Sequence, residues 1–168
     1  GYTYLSLVGE LEPSGPEEAQ ALSLIREWDL HTDTANRNAA LGMCILLEEW
    51  QAERTGNPLP DARETLQTCM ESVRDVAGQL NPEWGAVQQH GRGQRTWPAA
   101  GGPDTLRAMY AEQLEEEDDF LTVVAGDGLY YLIEWNAEGE QTIRGTHQYG
   151  SQMTDNSSPH YLDQAESF

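Results

Sequence analysis

The apolar positions of this chain follow two regimes, helical spacing over residues 14–90 and strand-like alternation from residue 120 onward. Ser14-Gly15-Pro16-Glu17-Glu18 reads as a helix start, with Pro near the first helical position and two carboxylates at the positive end of the dipole. Leu22, Ile25 and Trp28 then fall on one face. A second helix, capped by Asp33 or Thr34, carries Ala40, Met43, Cys44, Leu47 and Trp50 as its buried stripe and stops at Gly56-Asn57-Pro58-Leu59-Pro60. A third opens on Asp61 with Glu64 three residues later, a capping box with Asp in the Ser/Thr position. It buries Leu66, Cys69, Met70, Val73 and Val76 before Gly78, so the second and third helices form an antiparallel hairpin. Asn81-Pro82-Glu83-Trp84 starts a further short helix, with Asn as cap. Residues 2–8 fit an extended segment as well as the tail of a helix.

Residues 90–102 contain four glycines and Pro98 and are expected to form a long irregular loop. Residues 105–110 match helix and strand equally by pattern. The five acids at 115–119 read as a solvated surface loop, because calcium ligands converge from spaced positions and not from a contiguous run. Residues 120–125 form a short apolar strand. Residues 130–135 are aromatic and β-branched, and 140–147 pair back on them across the Asn136-Ala137-Glu138-Gly139 turn. Beyond a small polar loop at 150–158, Pro159 fixes the backbone ahead of His160-Tyr161. The fold class expected is α+β, a helical hairpin followed by antiparallel strands.

Composition narrows the partners. The chain has 168 residues and a net charge of −20, with 29 acidic residues against nine basic ones, all of them arginine. One ordinary core and one domain are the expectation at this length. Such a charge repels nucleic acid and anionic membrane surfaces, so neither is an expected partner. It fits a salt-adapted source, and equally a genome that favours arginine codons. No apolar run approaches the roughly 20 residues needed to cross a bilayer. Cys44 and Cys69 lie at matching distances from Asn57 at the hairpin turn. They fit a disulfide in an exported protein or two small buried core residues.

Common catalytic and metal motifs are missing from the sequence. It has no H-E-x-x-H, C-x-x-C or G-x-S-x-G, and its four histidines show no metal-site spacing. Gly91-Arg92-Gly93 with Gly101-Gly102 lacks the lysine and frame of a phosphate loop. Asp104-Thr105, His31 with Asp33, and His90 suggest no triad.

The order V-A-G-D-G, L-I-E-W, H-Q-Y-G and S-P-H-Y-L-D-Q over residues 124–164 resembles the C-terminal part of the large (β) chain of the penicillin acylase family. Upstream, Trp84-Gly85, Gly91-Arg92-Gly93, G-G-P-D-T-L-R-A at 101–108 and I-R-E-W-D at 25–29 are similar to the preceding segments of that family. These are N-terminal-nucleophile amidases, among them cephalosporin acylases and acyl-homoserine-lactone acylases. The resemblance covers nearly the whole chain. It implies a single segment, 1–168, of a four-layer αββα sandwich: mainly helical over 14–90, an irregular loop and a possible strand over 91–119, strands and the S-P-H-Y loop over 120–168. It favours a strand at 105–110.

The activity implied is hydrolysis of an acyl amide such as a β-lactam side chain or an N-acyl-homoserine lactone, in a periplasmic or secreted enzyme. The nucleophile, a serine at the start of the large chain, and the calcium ligands common in the family belong upstream of the matched region. No cofactor is therefore expected in this chain, whose partners would be the remainder of the large chain and the small chain. Gly1 offers no side-chain nucleophile, and the expectation is a fragment that is inactive alone. By its distance from S-P-H-Y, Glu134 matches the glutamate that in some cephalosporin acylases orients a histidine beside the nucleophile. On its strand it shares a face with Tyr130 and Leu132. His147, His160 and Tyr161 read as structural, with Asp163 or Gln164 bonding backbone. A non-catalytic acidic subunit or partner-binding module is the alternative to the amidase.

Overall fold

The computed structural model describes residues 3–103, 105–115, 118–152, 154–165 and 168, which form five helices and six strands in a mixed α+β arrangement. The chain divides into two compact units, Gly1–Gly91 with Thr96–Gly126, and Arg92–Arg95 with Asp127–Phe168.

In the first unit, α1 (Thr3–Gly9), α2 (Pro16–Glu27), α3 (Ala39–Thr55) and α4 (Ala62–Ala77) surround one apolar core. The segment that pattern left open at the N-terminus is helical. Its Tyr4 is buried, with the hydroxyl 2.6 Å from Thr65 Oγ1 and donating to Pro60 O at 2.9 Å, so α1 is tied to the start of α4. Leu22, Ile25 and Trp28 are buried as expected. Trp28 lies directly over Gly42, where any Cβ would collide with the indole ring. That close approach is what lets α3 enter the core.

Helix α3 departs from expectation at two points. It starts at Ala39, later than a cap at Asp33 or Thr34 would place it, because Asp33 Oδ1 accepts from Ala35 N at 3.2 Å and closes a turn of its own. Residues 39–43 are all buried, whereas Cys44, Leu47 and Trp50 are only half-buried and face a cleft. The anticipated stripe is thus the partly covered side of a helix whose first turns are buried all round. Helix α4 behaves as patterned: Asp61 accepts from Arg63 N and Glu64 N, and Leu66, Cys69, Met70, Val73 and Val76 are buried. Beside it Glu18, whose side chain is 8% exposed, accepts from Ser14 N at 2.8 Å, from Gln67 and from Arg63. The Ser14 bond is the leading reason that its carboxyl is held down at about 2.

Of the two cysteine readings, the disulfide is the one formed, linking Cys44 of α3 to Cys69 of α4 with Cα atoms 5.7 Å apart.

The remaining strands of this unit correct the expected loop. Residues 90–102 are not irregular throughout: β1 (Gln88–Arg92) and β2 (Arg95–Pro98) are neighbouring strands that follow the short α5 (Trp84–Val87). Glu83, not Asn81, occupies the cap position of α5. With β3 (Met109–Glu112) and β4 (Leu121–Gly126) they make a four-stranded sheet in the order β2-β1-β4-β3. The pairing of β3 with β4 is antiparallel, but β1 runs parallel to β4, with Gln88 opposite Leu121. A purely antiparallel set was expected. Local alternation carries no information on strand direction, and the long connection from β1 to β4 permits a parallel return. The strand expected at 105–110 begins only at Met109. Of the acidic run, Glu116 and Glu117 lie outside the described residues, as does Asp104 of the G-G-P-D-T-L-R-A motif.

The second unit is built on β5 (Leu129–Trp135) and β6 (Gln141–His147), an antiparallel hairpin in the expected register with Ile133 opposite Ile143. Asn136 organises its turn, accepting through Oδ1 from Glu138 N and Glu140 N.

Cross-linking two helices across a 25-residue separation is expected to stabilise the first unit by about 3 kcal/mol, chiefly by restricting the unfolded chain. The paired Cys44→Ser and Cys69→Ser variant should melt about 6–12 °C lower than the parent. A melting curve that neither this variant nor dithiothreitol moves would show that the cross-link contributes nothing.

Candidate functional site

The segments singled out by sequence occupy two separate places, one in each unit. In the first unit the G-G-P-D-T-L-R-A motif follows β2 and is fixed from behind by buried side chains. Trp84 Nε1 donates to Gly101 O at 2.8 Å, and Gln88 Nε2, on a residue 1% exposed, donates to Gly101 O at 3.1 Å and to Ala99 O at 3.2 Å. Thr105 Oγ1 closes the loop, donating to Arg107 O at 2.8 Å and lying 3.1 Å from Gly102 N. Leu106, between Thr105 and Arg107, is 96% exposed.

His90 lies on β1 of the same unit and is 3% exposed, its ring 5.6 Å from that of Trp97. Burial, with a smaller contribution from the Arg107 charge, pushes its imidazole down to about 4, so it is neutral at physiological pH. His31 is different, lying at the surface with Nδ1 3.4 Å from Asp29 Oδ2. Among the described residues no group of three or more His, Cys, Asp and Glu side chains is placed to hold a metal ion.

In the second unit the S-P-H-Y-L-D-Q segment folds against the start of the loop that follows β6. Gln152 N donates to His160 O at 3.0 Å, and Gln164 N donates to Tyr149 O at 2.9 Å. Gly150 packs so tightly on the backbone of His160 and Tyr161 that a Cβ there would collide with both. Asp163 accepts from Ser151 N at 3.3 Å and from His160 Nδ1 at 2.9 Å, and the His160 bond holds its carboxyl below the usual range. Gln164 Oε1 accepts from His147 N at 3.1 Å. Asp163 and Gln164 therefore bond backbone, as the motif suggested.

The residue that sequence reasoning missed is Arg92. Its guanidinium donates to Tyr161 O at 2.7 Å and Gln152 O at 2.9 Å, and lies 4.0 Å from the Tyr161 ring and 4.8 Å from the Tyr149 ring. An arginine flanked by glycines in a chain without lysine was a signal, but it was read against phosphate loops and as part of the family likeness, not as a side chain that holds a loop. A planar fork that bonds two carbonyls and packs against aromatic rings is work that lysine cannot do.

Glu134 lies on β5 and is about half exposed; Arg144 Nη2 donates to its Oε2 at 2.6 Å diagonally across the hairpin. Its partner within the described chain is thus an arginine, and no histidine of the chain is bonded to it. Tyr130 and Leu132 share its face, as the alternation required. No model of a known protein family matches the chain.

The buried His90 has a consequence for acid stability. Its imidazole takes up a proton near pH 6.5 when unfolded but only near 4 when folded, so stability should fall as pH drops through that interval. His90→Gln should flatten the dependence of Tm on pH between 6.5 and 4 while leaving the Tm at pH 8 closer to the parent's. An unchanged slope in the variant would assign the acid loss to other groups.

Proposed function

We propose that this chain is the C-terminal portion of the large chain of an amidase similar to penicillin acylase, within a four-layer αββα sandwich. The nucleophile would be an N-terminal serine supplied outside this segment. Such an enzyme releases a carboxylic acid and an amine: the serine attacks the amide carbonyl, fixed N–H donors hold the oxyanion, and water frees the acyl group. The order of G-G-P-D-T-L-R-A, L-I-E-W, H-Q-Y-G and S-P-H-Y-L-D-Q supports this reading.

The observation that carries it is the state of the β5–β6 hairpin. Leu129, Tyr131, Ile133, Trp135 and Ile143 share one face and are each between 41% and 65% exposed. A solvated hairpin face is normally polar, and two strands alone are marginally stable in water. Each half-exposed side chain forgoes roughly 1 kcal/mol of burial. An apolar face on a two-stranded sheet suits a pair of strands in the interior of a larger sheet. A periplasmic or secreted location fits the disulfide. Among the described residues no helix is long and apolar enough to cross a membrane.

A second reading is favoured by the Glu134–Arg144 pair, since a glutamate already bonded to an arginine need not orient anything else. The chain would then be a non-catalytic acidic subunit or partner-binding module.

Intact mass and N-terminal sequencing of everything that copurifies with the chain separates the two. A companion or longer precursor exposing an N-terminal serine is the expected result; a homogeneous particle of this chain alone would sink the amidase reading. In the complete enzyme, Glu134→Gln should lower kcat/KM by about 100-fold and shift its pH profile, as loss of an element supporting acid–base chemistry does. If Arg144→Gln gives the same loss without a pH shift, or if Glu134→Gln stays within about threefold of the parent, Glu134 serves only the hairpin.

A further inference from the structure

The first unit contains a cleft of about 370 Å³ between α3, α4 and the sheet, lined on the sheet side chiefly by the edge strand β3. That volume lies in the range of small-molecule sites. Its walls are apolar, formed by Met43 and Leu47 of α3, Val73 and Val76 of α4, and the paired rings of Trp50 and Tyr110, whose centroids are 4.9 Å apart. Among the described residues lining it, the charged ones are Glu48 and Glu112. Neither side chain makes a hydrogen bond or ion pair among the described residues, and Glu48 is half-buried on α3. An ammonium group entering the cleft would find in Glu48 and Glu112 two carboxylates that no cation among the described residues pairs with.

We propose that this cleft binds a small amphiphilic cation, an alkyl- or arylammonium compound whose apolar body lies along α3 and whose charge meets Glu48 and Glu112. Three features select this occupant over a neutral or anionic one. The charged side chains among the lining residues are both carboxylates. The Trp50 ring already takes a cation, the Arg54 guanidinium carbon lying 5.1 Å from its centroid, and its neighbour Tyr110 offers a second π-system to an ammonium group. The net charge of −20 raises the local concentration of small cations and lowers that of anions. The proposal does not rest on the amidase reading, since the cleft is complete within this chain.

Isothermal titration of the whole chain with n-octylammonium, n-octanol and octanoate tests it. Octylammonium is expected to bind and octanoate not, with octanol weaker than octylammonium. The Glu48→Gln and Glu112→Gln double variant should bind octylammonium about tenfold more weakly, the effect of two partly exposed ion pairs. Glu10→Gln with Glu12→Gln removes the same charge from exposed positions outside α3 and α4 and should stay within about twofold of the parent. Ser72→Trp, on an exposed position of α4 that lines the cleft, should block it without disturbing the core. Melting curves by circular dichroism confirm that each variant is folded. The proposal is overturned if octanol or octanoate binds as tightly as octylammonium, or if no binding occurs up to millimolar probe. It is equally overturned if the remote charge pair costs as much as the cleft pair, or if Ser72→Trp leaves binding intact.

Discussion

The carbonyl of Gly101 receives two buried side-chain donors, the indole of Trp84 and the amide of Gln88, and the organisation of the first unit depends on that convergence. The backbone around it is tied in as well: Gly101 N donates to Thr32 O, Trp84 N to Asn36 O and Gly85 N to Thr34 O. Three segments distant in sequence, 32–36, 84–88 and 99–102, are thereby fixed to one another where the helices give way to the sheet. Each bond stabilises only by about 1 kcal/mol, but losing both donors would strand a buried carbonyl at a cost of about 1–3 kcal/mol. Gln88 illustrates the asymmetry, since its amide is placed in the core only because three carbonyls converge on it.

The second unit solves a similar problem with a charge. Arg92 binds two carbonyls of the loop that holds S-P-H-Y and packs against two tyrosine rings, so an otherwise irregular segment has a fixed path. The hairpin beside it in sequence is regular yet poorly covered. These are opposite conditions. The irregular loop is bonded locally through its backbone, whereas the regular strands leave an apolar face exposed among the described residues.

The helices were legible because each carries its own punctuation. Pro16, Asp61 and Gly56 mark ends, and every residue of the α4 stripe is buried, with Thr65 buried in addition. The β5–β6 hairpin was legible for the same reason, through its turn and its alternation. What failed to show was non-local. Glycines at 91 and 93 read as loop because the pattern cannot reveal that Gln88 and Gln89 find a partner in β4. The late start of α3 was hidden by two equally good cap residues, one of which closes a separate turn. The disulfide stood as one of two readings because matching heights on a hairpin fix proximity and not bonding. Of the candidate site, Glu134 was placed on the right strand face, but its partner Arg144 sits on a diagonal that periodicity does not specify.

The parallel pairing of β1 with β4 also fixes an order of events as the chain folds. Helices α3 and α4 meet across a short turn, so the cross-linked pair can settle as soon as α4 is complete, whereas α1 reaches α4 only over the long separation between Tyr4 and Thr65. Gln88 likewise has no neighbour on its β4 side until Leu121 has been reached and the chain has looped back. Closing that loop costs entropy before any ladder bond compensates for it, so the β1–β4 pairing is expected to follow the local α3–α4 hairpin.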